Sequence, residues 1–426
     1  MAHPLLPPQG YYAASAPPAL ERPRFQGKAE VELCVIGGGF TGLSAALHLA
    51  EAGATPILLE AQDIGYGASG RNGGQIHAGL RQDQASLEAM LGRNHARELW
   101  QLSEDAKALV RSLARKVGCS VQDGLIKAAH SPRALAHLHS SHDYLEDHYG
   151  YTATRMLDAG ATAAAIGSTL YCGASLDRSG GHLHPLSLAR GLAQAAEAAG
   201  AKLYVRSKVE CLEAQADSVR ILCADAELRA RRVIVACDAW AGSILPTLAP
   251  FMAPVESFLI ATEPLPAALS AQILPGNEAV ADTRHVLDYY RKSADQRLLF
   301  AGREAYVHQP KDIAALVRPR MLTVFPQLRD CRIDYAWSGT VAVTRSRLPQ
   351  FGRMGSRILF GHGYSGQGVA LSVMGGRLMA EAALGPSPGF EALASIPARP
   401  FPGGPLLRKP LVVAALQALR WLDALG

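Results

Sequence analysis

Several familiar signals are missing from this chain of 426 residues, and each absence narrows what it can do. Its seven cysteines, Cys34, Cys119, Cys172, Cys211, Cys223, Cys237 and Cys331, contain no C-x-x-C pair, which reads as reduced core thiols in a cytoplasmic protein. Charge of one sign does not dominate: 42 Lys and Arg face 37 Asp and Glu, for a net +5 with no long basic run. Nucleic acid is therefore not an expected partner. The opening MAHPLLPPQGYYAASAPPALERPRF has no basic stretch leading into an apolar one, so it reads as a Pro-rich surface arm rather than a secretory signal. Neither a G-x-S-x-G elbow nor an H-E-x-x-H helix occurs, and no repeat of about 20 to 50 residues is evident. What is present is a hydrophobic content of 49%, enough for a substantial core spread over two or three domain-sized units.

The strongest local pattern is VELCVIGGGFTGLSAALHLAEAGATPILLE, residues 31–60. An apolar strand runs into Gly37-x-Gly39-x-x-Gly42, an Ala- and Leu-rich helix opened by Phe40 and Thr41, and a second apolar strand ending in Glu60 and Ala61. Gly37 permits the tight turn, Gly39 lets backbone amides approach a pyrophosphate, and Gly42 brings helix and strand together. The helix N-terminus faces the phosphates. A carboxylate at position 60 accepts ribose hydroxyls and repels a 2′-phosphate, so the ligand is FAD or NAD rather than NADP.

The rest of the chain supplies two further glycine-rich turns. GYGASGRNGGQ, residues 65–75, cannot form a regular element but can wrap closely around a ligand. RILFGHGYSGQGVALSVMGGRLMAEAALG, residues 357–385, repeats the strand, turn and helix order. Between them, residues 83–118 and 132–149 have helical periodicity and are expected outside the dinucleotide fold. Arg232 to Cys237 reads as a strand buried on both faces. Residues 255–341 alternate as in a largely antiparallel sheet.

The expected fold is α/β plus α+β, with interleaved domains: a Rossmann-like FAD-binding domain and a substrate domain with a largely antiparallel sheet. The boundaries read as an N-terminal arm at 1–30, a discontinuous FAD-binding domain at 31–95, 179–245 and 345–385, and a substrate domain at 96–178 and 246–344. Residues 386–426 form a C-terminal segment whose tail, Leu411 to Gly426, reads as a helix that closes the fold or lies on a membrane surface.

Taken together, these pieces resemble the FAD-dependent oxidoreductases of the D-amino-acid oxidase superfamily, and within it the gamma-glutamylputrescine oxidoreductase group. The resemblance rests on Tyr11-Tyr-Ala-Ala-Ser15, GASGRNGGQ at 67–75, SGGHLHPL at 179–186, LDYYR at 287–291, RLPQFGR at 347–353, GYSGQGV at 363–369 and PFPGG at 400–404. It implies FAD and oxidation of a C–N bond by hydride transfer to flavin N5, with hydrolysis of the imine. The substrate would be a polar amine bearing a carboxylate, or alternatively a cyclic or N-substituted amino acid such as L-pipecolate, and the electron acceptor oxygen or a quinone.

The resemblance assigns Ser69, Gly70, Arg71, Asn72, Gly73, Gly74 and Gln75 to the diphosphate and flavin edge. It assigns Gly363, Tyr364, Ser365, Gly366, Gln367 and Gly368 to the flavin's pyrimidine end and ribityl chain. Amides at the start of the helix after that turn would stabilise negative charge on the reduced ring. Val209 and Ala236 are expected on the adenine side, and Trp240 near the flavin. The chain departs from many relatives at Gln367, where His is usual, and at Ala-Cys-Asp-Ala-Trp240.

Flavin amine oxidation needs positioning rather than a nucleophile or a metal, so no metal site is expected. The residues proposed to position substrate are Tyr289, which alternates with Tyr290 on a strand, His184 of the HLHP run, Trp337 as an aromatic wall for a cationic amine, and Arg303 and Arg345 as carboxylate partners beside Arg347. Lys292 is a further candidate, near the site of oxygen reduction.

Overall fold

A computed structural model of the chain describes residues 10–305 and 310–403, with Ala414 alone beyond them. The expected tail helix at 411–426 therefore falls outside the described residues, apart from that one.

The strand Gly27–Ile36 is exposed at its start and fully buried over its last four residues. The change follows its neighbours: Ala226–Val235 runs parallel on one side for the whole length, while Ile57–Leu59 joins on the other only at Cys34 to Ile36. Strands Ile358–His362 and Lys202–Tyr204 extend the sheet in parallel, and Gln350–Met354 adds an antiparallel edge. The Arg232 to Cys237 run belongs to the longer strand Ala226–Val235, and Cys237 lies just beyond its end.

One face of this sheet is covered by the helices Phe40–Glu51, Pro185–Ala198 and Gly368–Leu384, whose apolar residues share one core. Gly376 is the close-packing point, because a Cβ there would lie 2.2 Å from the carbonyl oxygen of Thr41. Two segments sit differently from their expected places. The helix Arg93–Lys116 contributes Leu99, Val110 and Leu113 to that same core, because its apolar stripe meets the Gly368–Leu384 helix rather than the second sheet. The strand Gly173–Leu183 starts before residue 179 and joins the second sheet, where Gln75–Ile76 pairs with it.

That second sheet has nine strands, and all its pairings are antiparallel except that of Ala279–Asp282 with Val121–Ala129. Its register brings one row of residues into line across six strands: Trp337, Leu259, Ala301, Tyr289, Ala281 and Lys127. Directly opposed residues project to the same side of a sheet, so this row marks one face. Tyr290 points to the other face, stacked on Phe300 at 5.3 Å in a separate apolar core. The N-terminal arm covers the Trp337 end of the row: Tyr11 and Tyr12 are buried, and the Tyr11 hydroxyl donates to Asp295 at 2.6 Å. The cysteines are all free, but only Cys34, Cys119 and Cys331 are buried, and Cys211 is exposed on a strand edge.

Candidate cofactor and substrate site

Gly37 and Gly42 have the tight turn and the close packing that their spacing predicts. Gly37 has φ +110 and a Cβ there would lie 2.6 Å from the Ala236 carbonyl oxygen, while a Cβ at Gly42 would lie 1.9 Å from the Gly37 oxygen. Gly39 ends the turn as the N-cap of the Phe40–Glu51 helix, and the Ser69 hydroxyl accepts the Phe40 amide at 2.9 Å. The Ser69 hydroxyl and the N-terminal end of this helix thus come together at the turn, a geometry suited to an anion. Glu60 accepts the Gly38 amide at 2.6 Å and the Gln62 amide at 2.7 Å; burial raises its pKa, and these amides oppose the rise.

The second loop is held by its own side chains. Asn72 donates to the carbonyls of Ala68 and Ser69 and accepts the Gly74 amide at 2.7 Å. Gly70 and Gly74 are required by crowding, since a Cβ would lie 2.2 Å from the Gly65 oxygen and 2.0 Å from the Leu183 oxygen respectively. Arg71 is turned into the seam, donating to the Tyr66 carbonyl at 2.7 Å and the Ser338 carbonyl at 3.1 Å. Gln75 donates to the Val280 carbonyl.

The third turn is pinned by Asp238, a residue the sequence alone does not single out. Its carboxylate accepts the amides of Gly363 and Ala342, both at 2.9 Å. Gly363, Ser365 and Gly366 all have positive φ. Tyr364 reaches Thr41 through a hydroxyl contact of 2.8 Å, which brings the third turn onto the first helix. Gly368 opens the helix Gly368–Leu384, and Oε1 of its N-cap residue Gln367 is buried with no partner among the described residues.

The positioning candidates separate. Tyr289 meets the second loop: a Cβ on Gly73 would lie 2.9 Å from its ring, and its hydroxyl is 3.0 Å from Ser257 Oγ. His184 instead caps the Pro185–Ala198 helix, accepting the Ser187 amide at 3.1 Å, while Nε2 lies 3.0 Å from Ser15 Oγ. Burial pushes its pKa down to about 4, with Arg291 adding to the shift. Trp337 is covered by the arm and donates to the Arg71 carbonyl at 3.1 Å, so it is a core tryptophan rather than an open wall. Arg303 stands opposite Phe258, whose ring fills the core on the far side from Tyr289, and its charge acts on Asp288 there. Arg345 is exposed, and Lys292 donates to the Ser270 carbonyl inside the protein. Val209 and Ala236 are buried, whereas Trp240, in a short 3-10 turn, is 58% exposed and Ala61 is exposed.

Tyr289 instead shares its face with residues that, apart from Arg347, no motif marks. Glu304 stands opposite Ser257, within electrostatic reach of the Tyr289 hydroxyl. Lys127 lies on the same row, and Arg81, His77 and Arg347 approach from neighbouring loops. Gln82 donates to the Ser346 carbonyl at 2.8 Å, tying the Arg81 loop to the Arg347 loop. Burial lowers the pKa of Lys127 and of Arg81, and their like-charged neighbours, Arg81 for Lys127 and Arg347 for Arg81, lower each further. His77 falls to about 3 for the same reasons, burial first and then Lys127 and Arg81.

The FAD-dependent oxidoreductase family model matches residues 32–382, which spans all three turns and both sheets. The chain belongs to this family. FAD is accordingly its cofactor, and the donor set fits: glycines where a Cβ would block approach, helix amides beside Ser69, and an unpartnered Gln367 oxygen. The chain is 40% identical to the gamma-glutamylputrescine oxidoreductase of Escherichia coli, over 98% of each chain. It is 36% identical to a probable oxidoreductase, OrdL, of Rhizobium meliloti over 97% of each. Among solved structures, glycine oxidase from Geobacillus kaustophilus superposes with a TM-score of 0.71 at 20% identity, covering 83% of this chain and 95% of that one. L-proline dehydrogenase from P. horikoshii gives 0.71 at 19% identity, covering 84% and 93%. The protein is thus an FAD-dependent oxidoreductase. Among the described residues, no helix is long and apolar enough to cross a membrane, and no cluster of side chains is fit to hold a metal.

Proposed function

We propose that this enzyme oxidises the C–N bond of a polar amine that also carries a carboxylate, of the gamma-glutamylputrescine type, to an imine that water hydrolyses. The observation that supports this reading is that Tyr289, packed on the cofactor loop at Gly73, shares its face with Lys127, beside Arg81 and Arg347, none of the three cations in an ion pair among the described residues. The similarity to the Escherichia coli enzyme over the whole chain points the same way. Bound FAD would supply the hydride acceptor, flavin N5. The chain's own residues do the positioning. The Tyr289 ring walls the cleft beside the cofactor loop, and Ser257 fixes its hydroxyl. The amide end of the Gly368–Leu384 helix offers partial positive charge to a ring that gains electrons on reduction. Asp238 keeps that end in place through Gly363.

The electron acceptor is proposed to be oxygen, with a quinone as the outcome that would replace it. Anaerobic mixing of the purified flavoprotein with a panel of amines tests the first claim: gamma-glutamylputrescine should bleach the visible flavin band. A flavin that no carboxylate-bearing amine reduces would sink the proposal. Peroxide released in step with amine consumed on readmitting air would support oxygen as the acceptor.

A further inference from the structure

We propose that Arg81, Lys127 and Arg347 form a carboxylate-binding end of the cleft, two strand spacings from Tyr289, so that the enzyme selects amines whose carboxylate stands many bonds from the oxidised carbon. The inference rests on the amine-oxidation reading and adds where the anionic end of the substrate lies.

The distance comes from the register. Tyr289 pairs with Ala281, and Ala281 pairs with Lys127, so the two side chains stand on one face with a single strand between their own. Two spacings of about 4.8 Å put them roughly 10 Å apart. An extended chain covers about 3.5 Å for every three bonds, so that span takes about nine bonds. An α-amino acid has its carboxylate on the reacting carbon itself and cannot reach. Gamma-glutamylputrescine, with about nine bonds from its terminal amine carbon to the glutamyl carboxylate, can.

The charge comes from what is missing around the three cations. None of Arg81, Lys127 or Arg347 makes a direct ion pair or a side-chain hydrogen bond among the described residues; the Glu304 carboxylate acts on Arg81, and Asp177 and Asp83 act on Lys127, only at longer range. Lys127 is exposed by area, yet the protein around it is close enough to lower its pKa through desolvation. Like charges gathered in a partly desolvated cleft repel one another, and an anion entering between them relieves that cost. Arginine's planar fork suits a carboxylate bidentately, and lysine adds a point charge.

The test uses the FAD-loaded enzyme, the variants Lys127→Met, Arg81→Met and Lys127→Arg, and two probes, gamma-glutamylputrescine and putrescine. Flavin content and near-UV circular dichroism establish that each variant is folded. The concentration dependence of anaerobic flavin reduction gives the apparent Kd for each probe. Lys127→Met and Arg81→Met should each weaken gamma-glutamylputrescine by on the order of 10–100-fold relative to putrescine, with Lys127→Arg recovering most of the loss. An unchanged ratio between the probes in folded Lys127→Met overturns the inference while leaving amine oxidation standing. A reduction rate that falls equally for both probes would assign Lys127 to the cofactor and overturn it as well. A flavin that neither probe reduces in the unaltered enzyme overturns the amine-oxidation reading, and this inference with it.

Discussion

Glu60 reaches back over the first glycine turn and accepts the Gly38 amide at 2.6 Å. The acid that ends the second strand therefore holds the fingerprint turn, a task separate from the ribose contact its position in the motif predicts, and substitution can separate the two. Glu60→Ala removes both the Gly38 and the Gln62 bonds, whereas Glu60→Gln keeps an acceptor oxygen. The alanine variant should lose FAD affinity by about two orders of magnitude, and the glutamine variant by about one, since bonds to a charged acceptor contribute roughly 1.5–3 kcal/mol. Titration of apoprotein with FAD, followed by flavin fluorescence quenching, measures both.

Tyr289 is one of the points where the second sheet touches the 65–75 loop. Removing only its hydroxyl, in Tyr289→Phe, leaves the ring against Gly73 and breaks the 3.0 Å contact with Ser257. That change should slow flavin reduction only a few-fold, about 1 kcal/mol. Tyr289→Ala opens the space beside Gly73 and should cost about 10²-fold, because misplacement of a reactant by an ångström has that scale of effect. Rapid-mixing measurement of flavin reduction distinguishes them, and equal effects of the two would remove the ring from its positioning role.

His362 is fully buried one residue before the third turn, and neither ring nitrogen has a partner among the described residues. Burial alone lowers its pKa from 6.5 to about 4. A histidine with a lowered folded pKa stays neutral in the fold while the unfolded chain takes up a proton. Its stabilising effect is therefore complete above pH 6.5 and is lost as the pH falls from there toward 4. By pH 5 that loss amounts to about 2 kcal/mol. His362→Leu should flatten this part of the stability profile, read as the drop in thermal midpoint between pH 6.5 and 5, while His182 and His184 continue to contribute. An acid slope the variant leaves unchanged would contradict the assignment.

Much of the cofactor site is legible in the sequence because its physics is local. Gly37, Gly39 and Gly42 lie within six residues, and Ser69 to Gln75 form one loop, so spacing and turn chemistry carry the information. Tyr289 and Tyr290 likewise obey the alternation of a strand. Arg303 fails by the same rule, for an identifiable reason. Period-two counting from Ala301 puts it on the Tyr289 face, but the register shifts between Phe258 and Leu259, the extra residue reverses the alternation, and Glu304 takes the place on that face. Lys127 was not legible at all. Its neighbour Ala281 lies more than 150 residues away through a parallel pairing, and no short-range pattern encodes such a contact. His184 and Trp337 have chemistry suited to a substrate site, but both are occupied by the N-terminal arm, whose packing of Tyr11 and Tyr12 no local signal reveals.

The cationic end of the cleft carries its own pH signature. Burial lowers the Lys127 pKa first and Arg81 lowers it further, while Asp177 and Asp83 oppose the shift; His77, itself lowered to about 3, is neutral across the working range. The charge on Lys127 is therefore present below its lowered pKa and lost as the pH rises through it. Affinity for a carboxylate-bearing amine should fall on the alkaline side in the unaltered enzyme, relative to affinity for putrescine. Lys127→Arg keeps its charge throughout, because a guanidinium does not deprotonate in this range. The ratio of apparent Kd values for the two amines, measured by flavin reduction from pH 7 to about pH 10, should rise for the unaltered enzyme and stay level for the arginine variant. Parallel profiles in the two proteins would mean that the alkaline change belongs to the substrate's own amine and not to the residue that holds its other end.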